Sequence, residues 1–180
     1  MKALIVIDFT NDFIDGSLPV GQPGIDIAPR VSELTRKFAE NGDYVVMAVD
    51  LHEADDPYHP ESKLFPPHNL RDSRGRELYG TLKDVYEASR SSIYWMDKTR
   101  YSAFSGTDLE LKLRERGITE LHLIGVCTDI CVLHTAVDAY NKGFDLIIHE
   151  DAVASFNPDG HLWAIGHFQG SLGAKVVTAY

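Results

Sequence analysis

Hydrophobic positions along this chain follow two alternating rhythms. Residues 2–9 are apolar after Lys2 except for Asp8 near the end, and read as a buried strand. Over residues 26–41 the apolar positions recur at helical spacing instead, with Ile27, Val31, Leu34 and Phe38 on one stripe and Gly42 as the stop. Strand-like runs return at 43–51, 92–97, 119–125, 144–149 and 174–177. Between the later ones lie helical patterns at 107–116, 128–142 and 158–172, the first two closed by Gly117 and Gly143. Strands alternating with helices predict a three-layer α/β/α fold around a central, mainly parallel six-stranded sheet. A chain of 180 residues is long enough for one full core, so a single domain spanning 1–180 is expected.

One stretch breaks the rhythm. Residues 52–77 are rich in Pro, His, Asp and Arg and exceed the usual length of a connection in a compact domain; such loops are more often functional than incidental. Composition narrows what the function can be. The net charge is -10 and no Lys/Arg block occurs, so the electrostatic footprint of a nucleic-acid binder is missing. Asp8 interrupts the N-terminal apolar run too early for a signal peptide, and no run approaches the about 20 residues of a membrane span. Two cysteines without a secretory signal point to the cytoplasm, where a structural disulfide is unusual.

Ligands of open parallel sheets bind beyond the carboxyl ends of the strands, near the point where strand order reverses. Reading those ends in turn gives Asp8, then Asp50 and His52, then Lys98, then Cys127 and Cys131, all on one rim. If Thr128 caps the following helix, Cys131 lies in its first turn, where free N–H groups and the helix dipole favour a thiolate. A buried, inert cysteine is the competing reading, since Cys is among the most buried residue types. A zinc finger is weaker, because CxxxC lacks a second pair. Asp8, ending an apolar strand, can serve as a proton acceptor or merely as a cap. Lys98 can orient that carboxylate or stand in solvent. In Asp50-Leu51-His52 the first and third residues point to one side of a strand and can converge on a cation, with His59, Glu61 and His68 in the loop as further donors.

VIDFTNDF around Asp8, DKTRYSAF around Lys98 and GVCTDICV around Cys131 resemble the catalytic set of the isochorismatase-like cysteine hydrolases, over essentially the whole chain. VDLHEADDPYHPESKLFPPHN is similar to the metal-containing branch, the nicotinamidases, also called pyrazinamidases. The resemblance implies hydrolysis of nicotinamide to nicotinate and ammonia in NAD salvage, with pyrazinamide as a further substrate. The alternative is a metal-free relative acting on another small amide or a vinyl ether. It implies Cys131 as nucleophile, Asp8 as base and Lys98 beside them. The oxyanion would be held by the N–H groups of Cys127 and Cys131, with a cis peptide bond entering Cys127, and the ring would lie between Phe13 and Tyr101. One divalent metal ion, zinc before iron(II) or manganese(II), would be held by Asp50, His52, Glu61 and His68, leaving His59 as a solvated loop histidine. The expected partner is the small amide, with neither nucleic acid nor membrane, and a homo-oligomer is compatible with the family. Three positions depart from the family pattern: Cys127 stands where alanine is common, Phe65 where tryptophan is frequent, and HNLRDSRG replaces the usual HCxxGTxG.

Overall fold

The computed structural model describes residues 1–178. Six strands, β1 (Lys2–Ile7), β2 (Tyr44–Asp50), β3 (Ile93–Lys98), β4 (Glu120–Val126), β5 (Asp145–Ala154) and β6 (Lys175–Val177), pair in the order β3-β2-β1-β4-β5-β6. Every pairing is parallel. Alternate residues of β1 feed opposite faces, as a pleated strand requires. Ala3, Ile5 and Ile7 pack toward α4 (Leu109–Glu115), α5 (Leu133–Asn141) and α6 (Pro158–Gly170). Leu4 and Val6 pack toward α2 (Gln22–Glu40) and α3 (Thr81–Ala88). With both faces covered, the strands can be almost wholly apolar, as the burial of β1 and β2 shows. Among the described residues no helix is long and apolar enough to cross a membrane.

The sequence pattern misplaces several boundaries, each for a local reason. Helix α2 starts at Gln22 and not at residue 26, because Gly21 supplies a positive φ of 76° at the cap and Pro23 fits the first turn. Helix α3 and a one-turn α1 (Asn11–Ile14) carry too few buried apolar residues to show a stripe. Strand β5 continues through Glu150 and Asp151, past the predicted end at 149. Arg30 of α2 compensates the Asp151 charge, with Nε 2.8 Å from Oδ2, and a register shift between Leu123 and Gly125 lets the extension stay paired. Gly125 is obligatory there: its φ is 115°, and a Cβ would stand 2.0 Å from the Ile7 carbonyl oxygen.

A polar chain is buried between β4, β5 and α2. His122 Nε2 donates to Glu120 Oε1 at 3.0 Å. Its Nδ1 is therefore free to accept from His149 Nε2 at 2.8 Å, with Phe38 packed edge-on against both rings. Burial, with His122, Arg30, Lys2 and Lys37 adding to it, lowers the His149 pKa from 6.5 to about 3. The unfolded chain then binds more protons than the native one between those values, so stability falls as pH falls through the window. Between about pH 7 and about pH 4.5, wild type should lose roughly 2–3 kcal/mol more than His149→Gln. Urea unfolding of both proteins at the two pH values checks this; equal losses would remove His149 as a cause of acid sensitivity.

Candidate active site

Strand order reverses beside β1, whose neighbours are β2 and β4, and the rim above this point carries the reactive groups. Asp8 leaves β1 with a positive φ of 54° and is fully buried. Its Oδ1 accepts the Asp50 N–H at 2.9 Å, and its Oδ2 lies 2.7 Å from Lys98 Nζ. Parallel register sets Lys98 directly beside Asp50, and the ammonium stands 3.6 Å from Asp50 Oδ1. Lys98 Nζ also donates to the Arg100 carbonyl at 3.1 Å and lies 3.7 Å from Cys131 Sγ. One buried lysine thus touches both the carboxylate and the thiol.

The ionisation of this trio follows from burial and mutual charge. Burial lifts the Asp8 carboxyl to about 6 against the pull of Lys98, which makes it a stronger proton acceptor than a solvated aspartate. Burial works against a charged lysine, yet Asp8, Cys131 and Asp50 raise the Lys98 pKa, so the ammonium stays protonated. The expected thiolate at Cys131 is corrected. Burial raises that thiol well above its ordinary pKa, Lys98 opposes the rise, and the Asp8 and Asp50 charges add to it. The resting group is a thiol. The expected Thr128 cap is also absent: its Oγ1 pairs with His161 Nδ1 at 2.8 Å. The turn carrying Cys131, Thr128–Val132, is wound as a π-helix, with the Cys127 carbonyl accepting from both Ile130 and Val132 N–H. Asp129 anchors the turn by accepting from Ser155 Oγ at 2.6 Å. The Val126–Cys127 peptide bond is cis.

Beside the trio, donor atoms of Asp50, His52, Glu61 and His68 lie within 4.8 Å of one another, and all four residues are buried. His68 Nδ1 donates to the Pro66 carbonyl at 2.8 Å, which turns Nε2 into the cluster, 3.4 Å from Asp50 Oδ2 and 3.6 Å from Glu61 Oε2. His68 Nε2 and Asp50 Oδ1 have no hydrogen-bond partner although both are buried. Burial opposes a charged His68 ring, but the Asp50 and Glu61 carboxylates outweigh it and raise its pKa to about 10. Asp50 is held well below the usual carboxylate range: burial pushes up, and Lys98, His52 and His68 more than offset it. Two carboxylates and two imidazoles gathered this closely can hold a cation, and the donor set suits a divalent metal.

The loop that carries these donors is tied down. His52 bridges to Leu70, Asn69 N–H donates to Asp12 Oδ2 at 2.8 Å, and Asn69 Oδ1 accepts from Thr10 Oγ1 at 2.8 Å. Arg76, which the sequence pattern did not single out, donates to the carbonyls of Asp50 (2.7 Å) and Val49 (3.2 Å) and pairs with Asp97, bracing the ends of β2 and β3. His59 is not a solvated loop residue: it is buried, and both ring nitrogens are engaged. A pocket between trio and cluster is lined by Phe13, Leu18, Glu61, Phe65, Tyr101, Cys127, Ile130, Cys131 and Phe156. Phe13 lies against His68 with ring centroids 5.2 Å apart. Leu18, Ile130 and Phe156 were missed as wall residues because isolated apolar residues in loops and turns carry no periodic signal.

A Rossmann-like sheet with an Asp-Lys-Cys trio at its switch point, beside a buried His/carboxylate cluster, has the layout of a cysteine hydrolase. The chain belongs to the isochorismatase family: the isochorismatase domain profile matches residues 2–180. It is similar to the crystal structure of nicotinamidase/pyrazinamidase PncA from Bacillus subtilis, with 62% identity and a TM-score of 0.96 over 98% of each chain. The pyrazinamidase/nicotinamidase of Streptococcus mutans UA159 is 48% identical, with a TM-score of 0.96 over 98% of this chain and 100% of that one. The pyrazinamidase of Pyrococcus horikoshii, crystallised in complex with zinc, is 33% identical, with a TM-score of 0.88 over 99% of each chain.

Proposed function

We infer that this protein is a nicotinamidase: an amidohydrolase that converts nicotinamide to nicotinate and ammonia through a thioester on Cys131, and that also accepts pyrazinamide. The observation that carries the reading is the contact of Lys98 with both Asp8 and Cys131 directly beside a four-donor metal cluster. The names of its relatives support the same activity. Asp8 accepts the thiol proton as Cys131 attacks the carboxamide carbon, and the same proton is delivered to the departing ammonia. Asp8 then deprotonates a water molecule that attacks the thioester, releasing nicotinate and restoring the thiol. Lys98 keeps the Asp8 carboxylate oriented and lies close enough to the sulfur to offset negative charge developing there. The N–H groups of Cys127 and Cys131 are assigned to the oxyanion. Phe13 and Tyr101 flank the ring.

Asp50, His52, Glu61 and His68 would hold the metal, for which zinc is the first choice on the precedent of the Pyrococcus horikoshii protein. A divalent cation bound there would supply a Lewis-acid anchor for the ring nitrogen, so that the amide is placed over the thiol. The metal-free alternative, hydrolysis of another small amide or a vinyl ether, would leave this buried donor set without a purpose. We propose a role in NAD salvage in the cytoplasm, with the small amide as the partner and neither nucleic acid nor membrane involved; the acidic net charge of -10 supports the exclusion of nucleic acid.

The direct test is ammonia release from nicotinamide by wild type and by Asp8→Asn. The variant keeps the shape of the side chain and cannot take the thiol proton, so kcat should drop about 10²- to 10⁴-fold. Activity within about threefold of wild type would dismiss Asp8 as the base, and the absence of ammonia from wild type would dismiss the nicotinamidase reading.

A further inference from the structure

We propose that His59 is a positioning residue: it locks the turn that presents Glu61 to the metal cluster and ties that turn to the strand end bearing Lys98. The inference rests on the metal-site reading above.

The chemistry of its two bonds fixes the state of the ring. A backbone N–H can only donate, so His59 Nδ1 must accept from the Glu61 N–H, 3.2 Å away. A carbonyl oxygen can only accept, so Nε2 carries the proton and donates to the Thr99 carbonyl at 2.7 Å. Neither nitrogen has a lone pair to spare for a cation. His59 therefore differs in kind from His68, whose Nε2 has no hydrogen-bond partner and faces the cluster.

The place of the ring explains what those bonds do. Glu61 sits in a single 3-10 turn, Pro60–Lys63, capped by the His59 side chain. Ser62 reinforces the same turn through Oγ and N–H bonds to the His59 carbonyl, at 2.8 and 3.1 Å. The other three donors have supports of their own: Asp50 is in a strand, His52 is in a bridge to Leu70, and His68 is held by Pro66. The position of the Glu61 carboxylate depends on its turn, and the turn is pinned by His59. Because Thr99 follows Lys98 directly, the Nε2 bond fastens the metal-binding loop to the catalytic strand end. The ring also lies 4.3 Å, centroid to centroid, from the ring of His52.

Cobalt(II) titrated into the metal-free protein, followed by its visible absorption bands, tests this without recourse to turnover. His59→Ala should weaken cobalt binding about 10- to 100-fold, the scale on which supports of metal ligands act. The rate at which iodoacetamide alkylates Cys131 should stay close to the wild-type value, while the melting temperature of the metal-free protein falls modestly, because the Glu61 N–H and the Thr99 carbonyl each lose a partner. His59→Asn should recover most of the affinity, because Asn Oδ1 readily accepts from the N–H two residues on, the same bond His59 makes to Glu61. Wild-type affinity in His59→Ala, or His59→Asn no better than alanine, overturns the proposal. Failure of wild type to bind cobalt at all would overturn the metal-site reading and this inference together, a result distinguishable from either.

Discussion

Cys131→Ala should reduce nicotinamide turnover by about 10⁶-fold, the scale of loss when a covalent nucleophile is removed from a site whose groups act as a unit. The reason lies in the contacts of the trio. Asp8 is raised to about 6 and sits against Lys98, so it is a base without a task once the thiol is gone. Water in place of the sulfur would lack the position 3.7 Å from Lys98 that the Sγ holds. Cys127→Ala makes the control. That thiol lines the pocket, but burial, with Asp129 and Asp8 next, raises its pKa to about 12. Its assigned contribution is a backbone N–H, which alanine retains, so the variant should keep most of the activity. Steady-state ammonia release from both variants measures the contrast, and a Cys127→Ala protein as inactive as Cys131→Ala would reverse the roles.

Removal of the metal should be nearly as damaging, and selectively so. Chelation, or the pair His52→Ala with His68→Ala, should abolish nicotinamide hydrolysis while iodoacetamide still alkylates Cys131 at close to its original rate. The selectivity follows from the layout: thiol, base and ammonium contact one another without the cluster, which meets Asp8 and Lys98 through Asp50. Benzamide keeps the ring and the amide but has no ring nitrogen to be anchored, so it should be a poor substrate with or without metal. Full activity in a protein shown by elemental analysis to be metal-free would set aside the ligand assignment and favour the metal-free alternative.

Much of this architecture is legible in the sequence, because periodicity reports burial and burial determines the layers. The strand ends bearing Asp8, Asp50, Lys98 and Cys127 follow from where apolar runs stop, and their convergence follows from the parallel order of the sheet. What stays hidden depends on contacts between distant segments. Arg76 reads as one more loop arginine until it is seen to reach the carbonyls of Val49 and Asp50. His59 reads as solvated because its partners, Glu61 N–H and the Thr99 carbonyl, are backbone groups that leave no trace in residue identity. The thiolate expected at Cys131 fails for a related reason: a helix N-terminus favours negative charge, but burial, with the two neighbouring carboxylates adding to it, outweighs that pull and the pull of Lys98.

The central claim is the covalent intermediate, and rapid acid quenching of enzyme turning over nicotinamide, followed by mass spectrometry of its peptides, examines it directly. A nicotinoyl group on the peptide containing Cys131, localised to that sulfur by fragmentation and missing from Asp8→Asn, is the result expected here. Continued ammonia release with both cysteines unmodified at every quench time, or an acyl group carried by Cys127, would contradict the account.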